Sequence, residues 1–397
     1  MTGDARGGPG GVDGGAAAGP VGTLTSCPAC GAPAAPAARF CEACGHELPA
    51  VESESESARE STPGVAATST AAESTQGAVA TAPAAGPAPC RECGGVVDPD
   101  GYCETCGAKA PLARDRLVEQ PQAWVAGVSD RGVRHHRNED ALALAADAAP
   151  GSRAVLVVCD GVSSSEDSDV ASLAAARAAR DVLAGSRPRG LGTGSALTAV
   201  IGAHLGAAAD AASDAVARAT APDHGDSPPS CTFVAAVVAG DLVVAGVVGD
   251  SRAYWVPDAG EPALLTVDDS WAAEKIAVGV PRAQAESGPQ AHAITRWLGV
   301  DAPDHTPRVT SATIIAPGWL LLCSDGLWNY SSTADDVAAL VRRTAAACAD
   351  EPLATAAALV DWANAEGGHD NITVALARLG TTTTSGPAEQ TNEKDSR

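Results

Sequence analysis

The chain has 397 residues, 45% of them hydrophobic, with 49 acidic against 26 basic residues and a net charge of −23. That excess of negative charge argues against a nucleic-acid backbone or an anionic membrane as partner of the whole chain. No run of 18 or more apolar residues stands in the sequence, so no membrane span is expected. The N-terminus lacks the apolar core of a secretion signal, which makes the cytoplasm the expected compartment.

Residues 1–24 are Gly-, Ala- and Pro-rich with little to bury, an expected disordered leader. Residues 27–47, CPACGAPAAPAARFCEACGHE, hold Cys27 and Cys30, then Cys41 and Cys44 after ten intervening residues. Each Cys-x-x-Cys presents two thiolates to one ion, and two pairs complete a tetrahedral four-sulfur site. Gly31 and Gly45 follow the pairs, where a tight turn needs φ > 0. The pattern recurs with Cys90, Cys93, Cys103 and Cys106, nine residues separating the pairs. The repetition favours two structural Zn²⁺ sites, in ribbons at 25–48 and 89–110, over redox or disulfide cysteines. Segments this short have no core and depend on the metal to fold. Few basic residues surround them (Arg39, Arg91, Lys109), so the ribbons are expected to contact protein and not nucleic acid. The stretch between them, 49–88, starts VESESES and reads as an unstructured linker, as does the tail 380–397. The remaining cysteines, Cys159, Cys231, Cys323 and Cys348, are scattered, and the first three stand in apolar runs as free buried thiols would.

From 121 to 379 the chain reads as one folded domain, α+β in class. AWVAGVSDRG (123–132), NEDALALA (138–145) and AVLVVCDG (154–161) are strand-like. Residues 167–184 read as an amphipathic helix with Asp in its first turn, and a second Ala-rich helix covers about 195–219. Strands bounded by Gly–Asp turns fill 232–256. WLLLCSDG follows, then helices near 333–347 and 353–366 and a last strand at 371–379.

Carboxylates recur where apolar strands end or turn: Glu139, Asp140, Asp160, Asp250, Asp325 and Asp370. Singly, each has an ordinary use as a cap or turn residue. Gathered, they would repel one another unless cations offset the charge, and an all-oxygen set suits Mg²⁺ or Mn²⁺. Two such ions can activate a bridging water, and a phosphorus centre is the electrophile best matched to them.

SDRGVRHHRNEDA, VVCDGVSSS, VVGDSRAYW, LLLCSDGLW and GGHDNITVAL, in this order, resemble the motifs of the PPM-type (type 2C) metal-dependent Ser/Thr protein phosphatases over residues 122–379. The resemblance implies a four-layer α-β-β-α sandwich, with two antiparallel sheets between helix pairs and the metals at one end. It implies hydrolysis of phosphoserine and phosphothreonine by attack of a metal-bridging hydroxide, using two Mn²⁺ or Mg²⁺ ions and a third, weaker one. Asp160 would bridge the metals with help from the Gly161 carbonyl, Asp325 and Asp370 would hold one of them, and Asp250 would serve the third. Asp140 and Glu139 would orient bound water. Phosphorylated proteins, targets of Ser/Thr kinases, are the implied substrates.

Four departures from the family pattern stand out. The Arg expected four residues before Glu139 is replaced by His135, so a one-residue insertion makes Arg134 the favoured phosphate ligand and Arg137 the second choice. Val162–Ser165 (VSSS) replaces the usual Met-Gly-Gly-His. No His follows Gly161, where some members carry a general acid, and Asp268-Asp269-Ser270 replaces Asp-His-Ser. These departures support the competing reading, a phosphatase-like module of weak or no activity recruited through its ribbons.

Overall fold

The computed structural model describes residues 90, 93–108, 110, 112–163, 165, 167–187, 194–220, 225, 227–287, 290 and 293–380. The leader, the first ribbon with Cys27, Cys30, Cys41 and Cys44, the linker and the tail beyond Gly380 lie outside them.

The strands are β1 (Arg116–Gln122), β2 (Val125–Asp130), β3 (Ala141–Ala146) and β4 (Arg153–Cys159). Helices α1 (Ser168–Gly185) and α2 (Gly194–Ala219) follow, then β5 (Ser230–Cys231), β6 (Phe233–Ala239), β7 (Leu242–Val248), β8 (Arg252–Pro257) and β9 (Ala263–Leu264). Short helices α3 (Trp271–Ala277) and α4 (Arg282–Ala285) precede β10 (Leu298–Gly299), β11 (Arg308–Thr313) and β12 (Gly318–Cys323). The domain closes with α5 (Asp325–Trp328), α6 (Ala334–Ala347), α7 (Pro352–Glu366) and β13 (Ile372–Leu379).

Two antiparallel sheets form, in the orders β1-β2-β13-β12-β8-β9 and β11-β7-β6-β4-β3, and β5 pairs with β10. Helices α1 and α2 cover the five-stranded sheet, while α6 and α7 cover the six-stranded one. This is the expected four-layer α-β-β-α sandwich. Each central strand is covered on both faces, so its sequence is continuously apolar with no polar alternation. In β4, Val155, Val157 and Cys159 face the helices, whereas Ala154, Leu156 and Val158 fill the layer between the sheets. In β12, Trp319, Leu321 and Cys323 face α6 and α7, and Leu320 and Leu322 point inward.

One expectation needs correction. The domain starts ahead of 121, because Arg116–Gln122 pairs with β2 as an edge strand. Half-exposed, mostly polar and carrying Pro121, it has the composition of a protected edge and no apolar run to betray it. Helix α2 is, by length and composition, long and apolar enough to cross a membrane, with a mean hydropathy of 1.2. Its alanines give that value, although His204, Asp210 and Asp214 interrupt any apolar run. Ile201, Leu205, Ala208, Ala209, Ala212 and Val216 seat it in the core shared with α1 and the five-stranded sheet.

Candidate metal centre

At one end of the sandwich the inter-sheet layer changes from apolar to polar. The inward-facing register of each strand ends there in a short polar residue. Following Val158 two positions on is Asp160; preceding Leu142 is Asp140; beyond Leu322 is Ser324. On the same register, Thr373 precedes Ala375, Thr232 precedes Val234, and Ser251 precedes Ala253. Antiparallel pairing brings C-terminal and N-terminal strand ends to one edge. Cys159 lies opposite Ala141, and Cys323 opposite both Val374 and Arg252. The carboxylates expected from strand ends are thereby gathered on one rim.

Hydrogen bonds fix most of this rim. Ser324 Oγ donates to Asp140 Oδ2 at 2.7 Å, and Thr373 N donates to Ser324 Oγ at 2.9 Å. Thr373 Oγ1 and Asn138 Nδ2 both reach Ser129 Oγ, at 2.7 and 2.9 Å. Asp160 N donates to Thr232 Oγ1 at 3.0 Å, and Thr232 N returns a bond to the Asp160 carbonyl. Asn371 staples two distant loops: its Oδ1 accepts from Glu139 N at 2.7 Å, while Nδ2 donates to the carbonyls of Arg131 and Arg137. Gly326 touches Asn371 so closely that a Cβ would lie 2.0 Å from the Asn371 carbonyl oxygen. Trp328 Nε1 donates to the Asp250 carbonyl at 3.0 Å, tying the Gly249–Asp250 turn to α5.

The electrostatics are those of a site short of positive charge. Burial pushes Asp160 well above the usual carboxylate range, and the charges of Asp140, Asp325, Asp370 and Asp250 add to it. Asp250 is likewise raised well above by burial, then by Asp325 and Asp268. Burial and the Asp325 charge push Asp140 up to about 6, against its hydrogen bond from Ser324. Burial raises Asp370 too, although His135 opposes it. Asp140 is fully buried, yet among the described residues its Oδ1 has no hydrogen-bond partner. A buried carboxylate oxygen without a donor, ringed by acids, has the chemistry of a site for a hard cation. All the donors are oxygens, as Mg²⁺ and Mn²⁺ require.

Glu139 differs from Asp140, Asp160, Asp250 and Asp370. Burial works against its charge, but His135, Ser168 and Arg137 outweigh it and hold it at about 2. Ser168 Oγ donates to Oε1 at 2.5 Å, and Arg137 donates to the same oxygen through Nε at 2.9 Å and Nη2 at 2.8 Å. Arg137 also reaches the Ser165 carbonyl, so its guanidinium is committed within the protein. Arg134, by contrast, is exposed, and among the described residues only its backbone N–H is engaged, by the Gly368 carbonyl. Gly161 is buried against Glu139, where a Cβ would come within 2.6 Å of the Glu139 carbonyl oxygen. A cavity of about 300 Å³ opens beside Asp370, between Gly326, Asn329, Tyr330, His369 and Glu286.

A protein phosphatase 2C model matches residues 131–364, more than half of the chain. The chain belongs to the protein phosphatase 2C family. A double zinc ribbon model matches residues 27–107. Among curated relatives, the "Serine/threonine phosphatase stp" of Listeria innocua is 35% identical over 151 residues, 36% of this chain and 55% of that protein. The "Putative protein phosphatase 2C-type" of Streptococcus pyogenes is 34% identical over 131 residues, 32% of this chain and 50% of that protein. The chain thus spans about half the length of the curated relatives it matches. The solved serine/threonine phosphatase PstP/Ppp of Mycobacterium tuberculosis superposes with a TM-score of 0.51 at 27% identity, covering 67% of this chain and 99% of that one. That of S. agalactiae gives 0.50 at 22% identity, with 66% and 99% covered, a likeness of fold.

The departures from the protein phosphatase 2C pattern have structural explanations. Asp268 pairs with Arg252 at 2.6 Å, and Arg252 also stacks 3.6 Å over the Trp328 ring. Asp269 is buried and holds Arg296 at 3.2 Å and Arg308 at 2.6 Å; Ser270 caps α3. The three residues thus anchor the α3–α4 segment to the sandwich. In the VSSS loop, Val162 N donates to the Ser230 carbonyl and Ser165 N to the Val162 carbonyl, a tight turn that keeps Gly161 in place.

In the second ribbon the two Cys-x-x-Cys turns are near copies. Gly94 N donates to the Cys90 carbonyl and Gly107 N to the Cys103 carbonyl, and both glycines have positive φ, +73° and +74°. Cys90 N and Cys103 N donate five residues on, to Gly95 and Ala108. The four sulfurs lie within 4.8 Å of one another, with Cys90–Cys106 at 3.6 Å and Cys93–Cys103 at 3.4 Å. A tetrahedron with Zn–S of about 2.3 Å has sulfurs roughly 3.8 Å apart, so the donor set fits one zinc. Apart from the cysteines the ribbon core is Val97 with Ala108 and Ala110, too little to hold without metal. Replacing Cys93 and Cys106 by Ser is therefore expected to remove one zinc per chain by atomic absorption and unfold residues 90–108 by NMR. The melting temperature of the phosphatase 2C domain should stay unchanged.

Proposed function

We propose that the chain is a metal-dependent protein serine/threonine phosphatase acting on phosphoserine and phosphothreonine in proteins. The rim of buried and half-buried carboxylates raised together, with an Asp140 oxygen that lacks a donor among the described residues, carries this reading. Asp160, the Gly161 carbonyl, Asp325 and Asp370 would hold two Mn²⁺ or Mg²⁺ ions, and Asp250 a weaker third. When bound, such ions neutralise the carboxylates, polarise a phosphoryl group and make a water acidic enough to attack phosphorus. Asp140, fixed by Ser324, would orient such a water, with Oδ1 as the acceptor for its hydrogen bond. Glu139, held ionised by Arg137 and Ser168, acts from behind by keeping the Asn138–Asp140 loop in place. Arg134 grips the substrate phosphate, since Arg137 is engaged by Glu139. The cavity beside Asp370 seats the residues that flank the phosphorylated one. Protein partners dock on the ribbons, the second of which presents Val96 and Tyr102 as exposed surface, and the enzyme works in the cytoplasm.

The test is phosphate release from a phosphothreonine peptide by the zinc-loaded full chain, across Mn²⁺ and Mg²⁺ concentrations. Metal-dependent turnover lost in Asp325→Asn is the expected result. Metal binding without turnover would favour the non-catalytic binding module instead.

A further inference from the structure

His135 stands where the family pattern has a phosphate-binding Arg, yet its imidazole is not directed outward. Its side chain is 17% exposed, with Nε2 3.3 Å from Asp370 Oδ1 and Nδ1 3.8 Å from Glu139 Oε2. It is therefore wedged between two carboxylates from loops more than 200 residues apart. The backbone prepares this wedge. Val133 N and Arg134 N both donate to the Gly368 carbonyl, and Gly132 packs so tightly that a Cβ would lie 2.0 Å from the Asp370 carbonyl oxygen. The loop carrying His135 and the loop carrying Asp370 are thus locked together at three successive positions. Asp370 Oδ1 is shared by His135 and the Asn371 N–H at 2.7 Å, and among the described residues Oδ2 makes no hydrogen bond.

We propose that His135 is a positioning residue, tying the Asp370 carboxylate to Glu139 so that Asp370 presents its second oxygen to a divalent cation. Ligating groups are oriented by just such outer hydrogen-bonding partners, and losing one weakens metal binding about 10–100-fold. The inference rests on Asp370 being a metal ligand, as proposed above. It gives neighbouring residues separate roles: Arg134 meets the phosphate, and His135 serves the metal site.

Titration calorimetry of Mn²⁺ into the zinc-loaded full chain tests it, with His135→Ala, His135→Gln and His135→Arg beside the wild type. Thermal melts in chelator establish that each variant is folded. His135→Ala should weaken Mn²⁺ binding about tenfold or more. His135→Gln, whose amide still reaches Asp370, should recover most of that loss. KM for p-nitrophenyl phosphate at saturating Mn²⁺ should stay within about twofold of wild type. Unchanged Mn²⁺ affinity would overturn the proposal, and with a raised KM it would make His135 a phosphate ligand. Recovery of both affinity and KM by His135→Arg alone would overturn it as well. A wild-type chain that binds no Mn²⁺ outside its ribbons would overturn the metal-site reading itself, and this proposal with it.

Discussion

Asp160→Asn is expected to lower turnover of a phosphothreonine peptide by on the order of 10²–10³-fold while raising the melting temperature of the metal-free protein. The two effects have one cause. Burial and the charges of Asp140, Asp325, Asp370 and Asp250 oppose ionisation of Asp160, and a cation offsets them. An amide of the same shape removes the repulsion and the cation site together. Calorimetry in chelator and in Mn²⁺ reads this directly: wild type should gain stability on adding Mn²⁺, and Asp160→Asn should gain little. The pH dependence follows with its sign. Folded Asp140 titrates near 6, and Asp160, Asp250 and Asp370 are also raised, so the folded state holds protons that the unfolded chain has released. Their stabilising contribution is complete below about pH 4 and is lost as pH rises through the folded values. Metal-free protein should therefore lose stability between about pH 4 and 6 and beyond, and Mn²⁺ should flatten that decline. A metal-free melting temperature rising through this window would contradict the proposed cation site.

Gly326→Ala is expected to be among the most damaging single methyl additions in the domain. Its Cβ would lie 2.0 Å from the Asn371 carbonyl oxygen, a backbone atom that cannot step aside. Either α5 or the Asp370–Asn371 loop must retreat, and these carry Asp325 and Asp370. Overpacking of this kind costs about 1–3 kcal/mol, which for a domain of this size lowers Tm by roughly 4–8 °C at the middle of that range. Phosphatase activity should fall further than stability alone explains, with Mn²⁺ affinity reduced. Gly240→Ala is the control. Gly240 has φ +67° but nothing within 4 Å of its would-be Cβ, so only the backbone strain remains and activity should be retained. Equal losses in the two variants would mean that the close approach at Gly326 does not shape the site.

Much of the fold was legible. Apolar runs such as VLVVC and WLLLC marked strands covered on both faces, and the alanine-rich segments marked the outer helices. Strand β1 was not, because as an edge strand it has no fully buried residue and carries no apolar run. Within the site, the acids Asp140, Asp160, Asp250, Asp325 and Asp370 drew notice, since charge at the end of an apolar strand demands an offset. The residues that hold them did not. Ser324, Thr373 and Ser129 are ordinary small polar residues in sequence, and only the inward register of their strands gives them a role. Counting two positions from Leu322 and Ala375 would have found Ser324 and Thr373. Asn371 and His135 have no such signal, because each acts on a loop more than 200 residues away.

The sequence by itself determined the class of fold, the four-sulfur spacing of the ribbons and the set of carboxylates. Each of these depends on residue type and near neighbours along the chain. The tertiary structure alone decided which arginine is committed to Glu139 and which stays exposed, and that His135 faces two carboxylates. Those choices depend on Gly132, Gly326 and Gly368 letting three loops approach to within backbone contact, a distance that no local pattern encodes.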